Sequence, residues 1–137
     1  MSTPGYSGKP LAEKLGIKPA TNVIARGAPP DLAKWLAPLP AGAKLLTARA
    51  REAPCVLLFV TRRADLERQL PKALDQVAER GMCWICWPKR GSGVDTDLAE
   101  PDVQRIGLAT GWVDVKVCAV SDVWSGLKLV IRKSERQ

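Results

Sequence analysis

Two uninterrupted apolar runs constrain the fold of this chain more than any other feature: PCVLLFV at 54–60 and MCWICW at 82–87. A strand with one wet face alternates apolar and polar residues, whereas a continuous apolar run is typical of a strand covered on both faces. Strands of that kind belong to parallel sheets that carry helices on both sides. The two runs therefore predict neighbouring strands in the centre of an α/β protein.

The segment between the two runs has a helical period. From 61 to 80 the apolar residues recur on one side of a helix, at Leu66, Leu70, Leu74 and Val77. Pro71 is expected to divide this helix, because the proline ring cannot follow an unbroken turn. Gly81 is expected to end it, directly before the second apolar run.

Shorter elements surround this pair. In chain order they are a helix in PLAEKLG (10–16), a strand in TNVIARG (21–27), a helix in PPDLAKWLAPLP (29–40), a strand in KLLTA (44–48) and a helix in EPDVQRIGLATG (100–111). Two final strands, VDVKVCAV (113–120) and WSGLKLVIRK (124–133), are separated by three residues. A connection that short joins antiparallel strands.

This succession predicts the fold class α/β. We expect a Rossmann-like three-layer α/β/α arrangement, with a mostly parallel sheet of about six strands that ends in an antiparallel hairpin. Residues 1–9 are polar and contain Pro4, Gly5 and Gly8, which predicts a flexible N-terminal arm. Residues 10–137 are predicted to form one domain, since a chain of 137 residues matches the size of a single domain.

Composition bears on partners and location. Twenty-one Lys and Arg against fourteen Asp and Glu give 21 − 14 = +7, which favours anionic partners. No run approaches the 18 or more apolar residues of a membrane span, and the N-terminus lacks the pattern of a signal peptide. The sequence therefore predicts a cytoplasmic protein without a membrane partner, in which the four cysteines are reduced thiols.

From PCVLLFV through GMCWICWPK to the closing hairpin, roughly residues 54–133, the succession resembles a truncated Rossmann-like methyltransferase domain. That resemblance implies a cofactor site, but the first half departs from it. The turn after the first strand reads RGAPPDL, with one glycine where a cofactor-binding turn has several. The second strand is followed by TARARE, whose nearer charges are basic rather than acidic. We therefore predict no cofactor, neither S-adenosylmethionine nor NAD.

Three blocks carry a second resemblance that covers almost the whole chain. YSGKPLAEKLGIK, WPKRGSGVDTDL, and DVKVCAV followed by WSGLKLVIRK are together similar to the bacterial family called domain of unknown function 3052. This resemblance implies a Rossmann-like fold. It implies no activity.

The loop WPKRGSGVDTDL, residues 87–98, is the first candidate for a binding site, because it follows a buried strand at the end where α/β sheets bind ligands. Its glycines could take positive φ and turn backbone N–H groups towards an anion. The candidate residues are Lys89, Arg90, Gly91, Ser92, Gly93, Thr96 and Asp97. The alternative is a polar turn in which Asp95 and Asp97 cap or bridge locally.

The hairpin adds four more candidates for the same cleft. Lys116 lies in its first strand, and Asp122, Trp124 and Ser125 lie around its turn. Trp124 could stack on a ring or peptide, or pack as a lid over the core. Tyr6, Ser7 and Lys9 of the N-terminal arm could also fold over the cleft.

Two features of the sequence restrict the reactions and the metal sites that this chain could support. The chain has no histidine, which removes Ser-His-Asp and Cys-His mechanisms and favours a protein that is not an enzyme. CWIC at 83–86 has the spacing of a metal or redox pair, but residues i and i+3 of a strand point to opposite faces. We expect Cys83 and Cys86 to pack in the core, and no metal to bind.

These observations predict a non-catalytic binding or regulatory module with an anion-accepting cleft, whose partner is a small phosphate-bearing ligand. The first alternative is a degenerate, methyltransferase-like transferase acting on a small phosphorylated or adenosyl ligand. The second is a basic protein associated with nucleic acid, although no recognition motif accompanies its basic residues. Trp35, Trp112 and the edge strand could form a dimer face, so both a monomer and a homodimer are open.

Overall fold

The computed structural model describes residues 10–131, so the predicted arm at 1–9 lies outside them. The elements, in chain order, are α1 Leu11–Lys14, β1 Asn22–Arg26, α2 Leu32–Leu36, β2 Lys44–Leu46, β3 Ala53–Phe59, α3 Arg63–Asp75, β4 Val77–Pro88, α4 Glu100–Leu108, β5 Val113–Ala119 and β6 Trp124–Val130. All of them contribute to one six-stranded sheet and the helices that cover it.

The sheet has the strand order β2-β1-β3-β4-β6-β5. The pairings β1 with β2, β1 with β3 and β3 with β4 are parallel, while β6 runs antiparallel to both β4 and β5. The two apolar runs pair with each other in register, from Cys55↔Met82 to Phe59↔Cys86. The predicted fold class, a mostly parallel α/β sheet that ends in an antiparallel hairpin, is confirmed.

The central strands are buried on both faces, as their continuous apolar runs indicate. On one face, Val56, Leu58, Cys83 and Ile85 pack under the apolar sides of α3 and α4. On the other face, Cys55, Leu57, Trp84 and Cys86 pack under α1 and α2. Alternate residues of one strand thus pack into two separate cores, one on each face of the sheet. The sheet and the helices on its two faces are the three layers of the fold.

The buried Trp84 ties α1 to the sheet. Its indole N–H donates to the carbonyl oxygen of Leu15 at 3.0 Å, so the ring is buried without an unsatisfied donor. Leu11 and Leu15 complete the contact on the side of the helix. α1 is only four residues long, and this packing rather than its own helical propensity holds it in place.

The region between the apolar runs differs from prediction in two ways. Pro71 does not divide the helix, because α3 is continuous from Arg63 to Asp75, and Pro71 lies on its exposed surface. Val77 does not belong to the helix, since β4 already begins there. Gly81 therefore lies inside a strand rather than at a helix end. The sequence does not distinguish the two elements at this point, because Val77 fits both the helical stripe and an extended strand.

The register between β3 and β4 shows why Gly81 is needed. Ala53 pairs with Val77 and Cys55 with Met82, so four residues of β4, from 78 to 81, bulge opposite one residue of β3. A Cβ on Gly81 would lie 2.7 Å from the carbonyl oxygen of Pro54 and 2.8 Å from that of Ala78. Only glycine fits at this close approach.

Within residues 10–131, no helix combines the length and the apolar character that crossing a bilayer would require. The longest helix, α3, has 13 residues and carries charged side chains along its outer side, among them Arg63, Glu67 and Lys72.

Candidate functional site

The strand order creates a crevice at one edge of the sheet. The chain leaves β1 for β2 on one side, and β3 then pairs on the other side of β1. In open parallel sheets, ligands bind outside the carboxyl ends of the strands at such a reversal of order. A cavity of about 400 Å³ lies at this point, and we call it the switch-point pocket. Its polar lining comes from Arg26, Thr61, Asp65, Arg68 and Gln69, and its aromatic lining from Phe59 and Trp124.

The floor of the pocket is made by close backbone contact between β1 and β3. Gly27 ends β1 with φ +66°, a conformation that favours glycine. A Cβ at this position would lie 2.7 Å from the carbonyl oxygen of Phe59. The single glycine of RGAPPDL is therefore used to bring two strand ends together.

Arg26 places a positive charge beside this turn. Its guanidinium donates to Gln69 Oε1 at 2.7 Å, to Gln76 Oε1 at 3.1 Å and to the Ala48 carbonyl oxygen at 3.4 Å. These acceptors are neutral, and in the part of the chain that the structure describes no ion pair involves Arg26. Its Nε is buried without a hydrogen-bond partner. A half-buried cation held only by neutral oxygens attracts an anion.

Arg68 supplies a second guanidinium. It forms an exposed ion pair with Asp65, one turn earlier on α3. Exposed pairs of this kind contribute only about 0.3–0.5 kcal/mol, so a ligand's acidic group competes easily for Arg68. With two guanidinium groups and one carboxylate, the lining of the pocket carries a net positive charge.

Trp124 is the predicted site residue that lines the switch-point pocket. Its half-exposed ring contacts Phe59 edge to face, with ring centroids 5.1 Å apart and an interplanar angle of 81°. The contact fixes the indole at the beginning of β6, where it both packs on the core and borders the cavity. The two interpretations offered for Trp124, a stacking surface and a packing lid, are thus compatible.

The predicted loop lies at the same edge of the sheet. Lys89 connects it to the hairpin turn, since its backbone N–H donates to the Val123 carbonyl at 2.8 Å and its Nζ to the Ser121 carbonyl at 3.2 Å. Gly91 and Gly93 have φ of +77° and +92°, as predicted. Open space surrounds both glycines, so they turn an exposed loop rather than approach another part of the chain.

The second half of the loop docks on the start of α3. The Thr96 hydroxyl donates to the Thr61 carbonyl at 2.6 Å, and Asp97 Oδ1 accepts from the Arg63 backbone N–H at 2.7 Å. Asp95 pairs with Arg62. Helix N-termini favour negative charge, and here the chain's own carboxylates occupy that position. Through Thr61, which lines the switch-point pocket, the loop forms part of its surroundings.

The remaining candidates are spread over the loop and the hairpin. Arg90 is exposed, and Ser92 accepts from the Val94 N–H at 3.4 Å. Ser125 is half-buried and pairs with Trp87 across the sheet, and Asp122 is exposed. Lys116 is directed to α1, where its Nζ donates to the Lys14 carbonyl at 3.3 Å. Tyr6, Ser7 and Lys9 lie outside the described residues.

Sequence reasoning missed most of the pocket. Arg26, Gly27, Arg68 and Gln69 were not among the candidates, although Arg26 and Gly27 stand at the end of a predicted strand. That position was the available signal, because strand ends at a reversal of strand order form ligand sites. Arg68 and Gln69 lie on an ordinary charged helix face and carry no such signal.

The cysteines lie where the strand geometry predicts. Cys83 packs in the core under α3 and α4, whereas Cys86 packs in the core on the other face of the sheet. Burial raises the pKa of the Cys83 thiol to about 12 and that of Cys86 well above its ordinary value. Among residues 10–131, no group of three or more His, Cys, Asp or Glu side chains has a geometry that could hold a metal ion.

The fold is similar to that of S-adenosylmethionine-dependent methyltransferases. One such enzyme from Aquifex aeolicus aligns over 89% of this chain and 88% of its own, with 14% identity and a TM-score of 0.65. A protein from Sulfolobus solfataricus assigned to the type 11 methyltransferases aligns over 99% and 97%, with 14% identity and a TM-score of 0.64. Magnesium protoporphyrin IX methyltransferase from Synechocystis PCC 6803, with bound S-adenosylhomocysteine, aligns over 89% and 78%, with 10% identity and a TM-score of 0.60.

These similarities support the remote resemblance to a Rossmann-like methyltransferase domain, and at such low identity they show the fold. No protein-family model and no curated protein sequence matches the chain, so the resemblance to domain of unknown function 3052 is not confirmed. The prediction of a non-catalytic binding or regulatory module is wrong, because the structural matches to methyltransferases favour its alternative, a methyltransferase-like transferase. The error came from weighing the missing histidine and the missing glycines above the strand order.

The pocket fits S-adenosylmethionine only in part. Arg26 and Arg68 suit the carboxylate of its methionine end, and Trp124 offers an aromatic surface. The ribose hydroxyls, however, ordinarily bind an acidic residue at the end of the second strand. The segment after β2 brings Arg49, Arg51 and Glu52 to a separate groove beside α3, outside the switch-point pocket. The residues present therefore do not reproduce a complete S-adenosylmethionine site.

Proposed function

We propose that this protein is a transferase of the methyltransferase-like fold that binds a small adenosyl or phosphorylated ligand in the switch-point pocket. The observation that carries the proposal is the pocket's position, outside the carboxyl ends of β1 and β3 in a fold shared with methyltransferases. Ligands of open α/β sheets bind at this position.

The charge of the pocket supports a ligand with an acidic group. Arg26 is held in place by Gln69 and Gln76, so its guanidinium is oriented before a ligand arrives. A guanidinium binds a carboxylate or phosphate through two parallel hydrogen bonds. Arg68 joins it once the ligand displaces Asp65. The pair accounts for both ligand types in the proposal, since S-adenosyl compounds carry a carboxylate and nucleotides carry a phosphate.

The aromatic wall supports a ligand with a flat ring. Trp124 borders the cavity with part of its ring exposed, and the edge-to-face contact with Phe59 keeps that ring from turning. Stacking of a base on an indole suits an adenosyl group of either ligand type. In this arrangement the ring lies against β6, and the acidic group lies towards Arg26 and α3.

The predicted loop and hairpin residues enter the proposal as the surroundings of the pocket. Thr96 and Asp97 hold the loop against Thr61 and α3, and Lys89 holds it against the hairpin turn. We propose that Lys89 to Asp97, together with Asp122 and Ser125, border the bound ligand. The cytoplasmic location, and the choice between monomer and homodimer, stay predictions from the sequence.

Isothermal titration calorimetry with S-adenosylhomocysteine and with adenosine 5′-monophosphate tests the proposal. We expect at least one of them to bind, and plain adenosine to bind at least tenfold more weakly, because it lacks the acidic group. Arg68→Gln should weaken the binding about tenfold, which corresponds to roughly 1.4 kcal/mol for a charged hydrogen bond. Absence of binding by both ligands up to millimolar concentration would overturn the proposal.

Arg105→Gln is the matched control. Arg105 forms the same kind of exposed ion pair with an aspartate three residues earlier, Asp102, but it lies on α4, outside the pocket. This variant loses one positive charge and one surface ion pair, as Arg68→Gln does. Equal weakening by the two variants would mean that the total charge of the protein attracts the ligand, and that Arg68 has no direct contact with it.

A further inference from the structure

A second cavity, of about 250 Å³, lies at the opposite edge of the sheet. It forms where β3 and β4 begin and β6 ends, and the segment after α1 closes its side. We call it the amino-edge pocket, and its lining includes Lys18, Pro54, Arg80, Gly81, Met82 and Lys128. Because it is formed at the amino ends of the parallel strands, it is separate from the switch-point pocket.

The amino-edge pocket is lined by charges of one sign. Lys18, Arg80 and Lys128 come from three different segments of the chain, and the lining contains no aspartate or glutamate. A concave surface with charges of one sign concentrates counter-ions of the other sign. The charge of Lys128 reaches the interior as well, since it opposes the rise that burial causes in the pKa of Cys55.

The neighbours of Lys128 continue this positive surface. Lys128 pairs across the hairpin with Lys116, and like charges directly opposite each other are unfavourable in a sheet. Lys116 Nζ donates to the Lys14 carbonyl, and Lys14 Nζ donates to the Ala119 carbonyl. The ammonium groups of Lys14 and Lys116 are thus held by carbonyl groups. The ion pairs found between residues 10 and 131 join four arginines to aspartates, and none of them involves Lys14, Lys18, Lys116 or Lys128.

The backbone at Arg80 is unusual: among the described residues, three that are not glycine have positive φ, namely Ala20, Glu52 and Arg80, and of these Arg80 lines this pocket. Arg80 has φ +66°, a left-handed conformation that residues with a Cβ adopt only at an energetic cost. It lies in the bulge of β4, next to Gly81, whose backbone lies so close to the Pro54 carbonyl oxygen that a Cβ would not fit. Backbone strain of this kind is concentrated at functional sites, where it fixes the direction of a side chain. Here the conformation of Arg80 places its guanidinium in the same pocket as Lys18 and Lys128.

We propose that the amino-edge pocket binds a phosphate group through Lys18, Arg80 and Lys128. Three cations on a concave surface match the charge of a phosphate better than that of a single carboxylate, and a guanidinium with two ammonium groups provides enough donors for its oxygens. The phosphate belongs either to a small phosphorylated compound or to the backbone of a nucleic acid. The site does not depend on the function proposed for the switch-point pocket, and it can bind its ligand whether or not that function is correct.

Titration of the full chain with inorganic phosphate, followed by ¹⁵N–¹H NMR, tests the proposal against sodium chloride at the same ionic strength. The backbone amide signals of Gly16, Gly81 and Met82 should move with a common saturation curve. Arg80→Gly should weaken the binding at least tenfold. This variant keeps the fold, because glycine adopts positive φ without strain. Lys128→Gln should weaken the binding by a similar factor, while the control Lys72→Gln on α3 should change it less than twofold.

Two results would overturn the proposal: signals of the pocket that do not move at saturating phosphate, or an Arg80→Gly variant that binds phosphate as the unaltered protein does. Competition then identifies the source of the phosphate. A single-stranded oligonucleotide that displaces phosphate and depends on Arg80 would assign the site to a nucleic-acid backbone. Pyrophosphate that displaces it where the oligonucleotide does not would assign the site to a small ligand.

Discussion

The turn after β1 brings Gly27 so close to β3 that any side chain there would meet the carbonyl oxygen of Phe59. Two separate penalties apply to a substitution at this position: the left-handed φ and the steric overlap. Each of the exposed glycines Gly91 and Gly93 carries only the first of them, because open space surrounds both. The chain therefore offers a comparison that separates backbone strain from overlap.

We expect Gly27→Ala to destabilise the protein by about 2–4 kcal/mol, with about 1 kcal/mol from the positive φ and the rest from displacing β3. Gly93→Ala should cost about 1 kcal/mol, since only the φ penalty applies. Urea denaturation followed by circular dichroism measures both values. Equal losses in the two variants would show that the backbone of β3 moves away from the new methyl group at no cost.

At the scale of elements, one carboxylate in the loop before α4 and one in the first turn of α4 organise the starts of two helices. Asp97 accepts from the Arg63 N–H at the beginning of α3, and Asp102 accepts from the Ala99 N–H at the beginning of α4. Asp102 also pairs with Arg63 at 3.0 Å, which links the two helices. These contacts hold the loop against α3, next to the switch-point pocket.

Replacement of Asp97 by alanine should destabilise the protein by about 1 kcal/mol, because the Arg63 N–H loses its acceptor at a helix start. Asp97→Asn keeps an oxygen in the same place, so it should destabilise the protein by less than half as much as Asp97→Ala. Asp31→Ala is the control, since Asp31 precedes α2 without a side-chain hydrogen bond to the helix, and it should cost less than about 0.5 kcal/mol. Chemical denaturation of the three variants checks the order.

Asp102 should make the stability depend on pH in the acid range. The Ala99 N–H, followed by Arg63 and Arg105, lowers the pKa of this carboxyl below its ordinary value of 3.8. A lowered folded-state pKa means that the contribution is complete above pH 3.8 and is lost as the pH falls through the folded pKa. The urea midpoint should therefore fall less between pH 5 and pH 2 in Asp102→Asn than in the unaltered protein. Identical pH profiles would contradict this assignment.

At the scale of the whole molecule, the sheet protects three of the four cysteines. Cys55, Cys83 and Cys86 are completely buried, and burial raises the pKa of each thiol. Cys118 is half-buried, on the hairpin. A thiol reagent needs the exposed thiolate, so a buried thiol reacts only after the sheet opens.

We expect the native protein at pH 8 to react with a disulfide reagent at one thiol, Cys118, and the urea-unfolded protein to react at four. Cys118→Ala should remove the rapid reaction and leave the slow one. The rate of the slow reaction should rise with urea in parallel with unfolding, because the central strands open only when the sheet comes apart. Rapid reaction of two or more thiols in the native state would show that one edge of the sheet opens locally.

The architecture was largely predictable, because each cue lies within one short stretch of sequence. Continuous apolar runs identify strands buried on both faces, and the three-residue link before Trp124 permits only a hairpin. The segment from 71 to 81 was not predictable in the same way. Pro71 is tolerated on the outer surface of α3, and the bulge at 78–81 depends on the Pro54 carbonyl, a contact between distant residues.

The candidate site was predictable only where it is local in sequence. The loop at 87–98 attracted attention because its glycines and charges are adjacent, and the φ values of Gly91 and Gly93 agree with that prediction. The switch-point pocket collects Arg26, Thr61, Arg68 and Trp124 from distant segments, and each of them is unremarkable in its own segment. Only the reversal of strand order brings them together, and that reversal is a property of the complete sheet.

The half-exposed indole of Trp124 also has an optical consequence. Iodide ions in water quench the fluorescence of exposed indoles, whereas Trp84 and Trp87 are buried and keep their emission. Trp35 and Trp112 are half-buried like Trp124, but they lie outside the switch-point pocket and give a constant quenchable background. A molecule seated in the switch-point pocket covers the ring of Trp124 and shields it from the quencher, so the quenchable fraction of the emission falls. The occupancy of the pocket can thus be followed by iodide quenching of the protein's intrinsic tryptophan fluorescence, without a label.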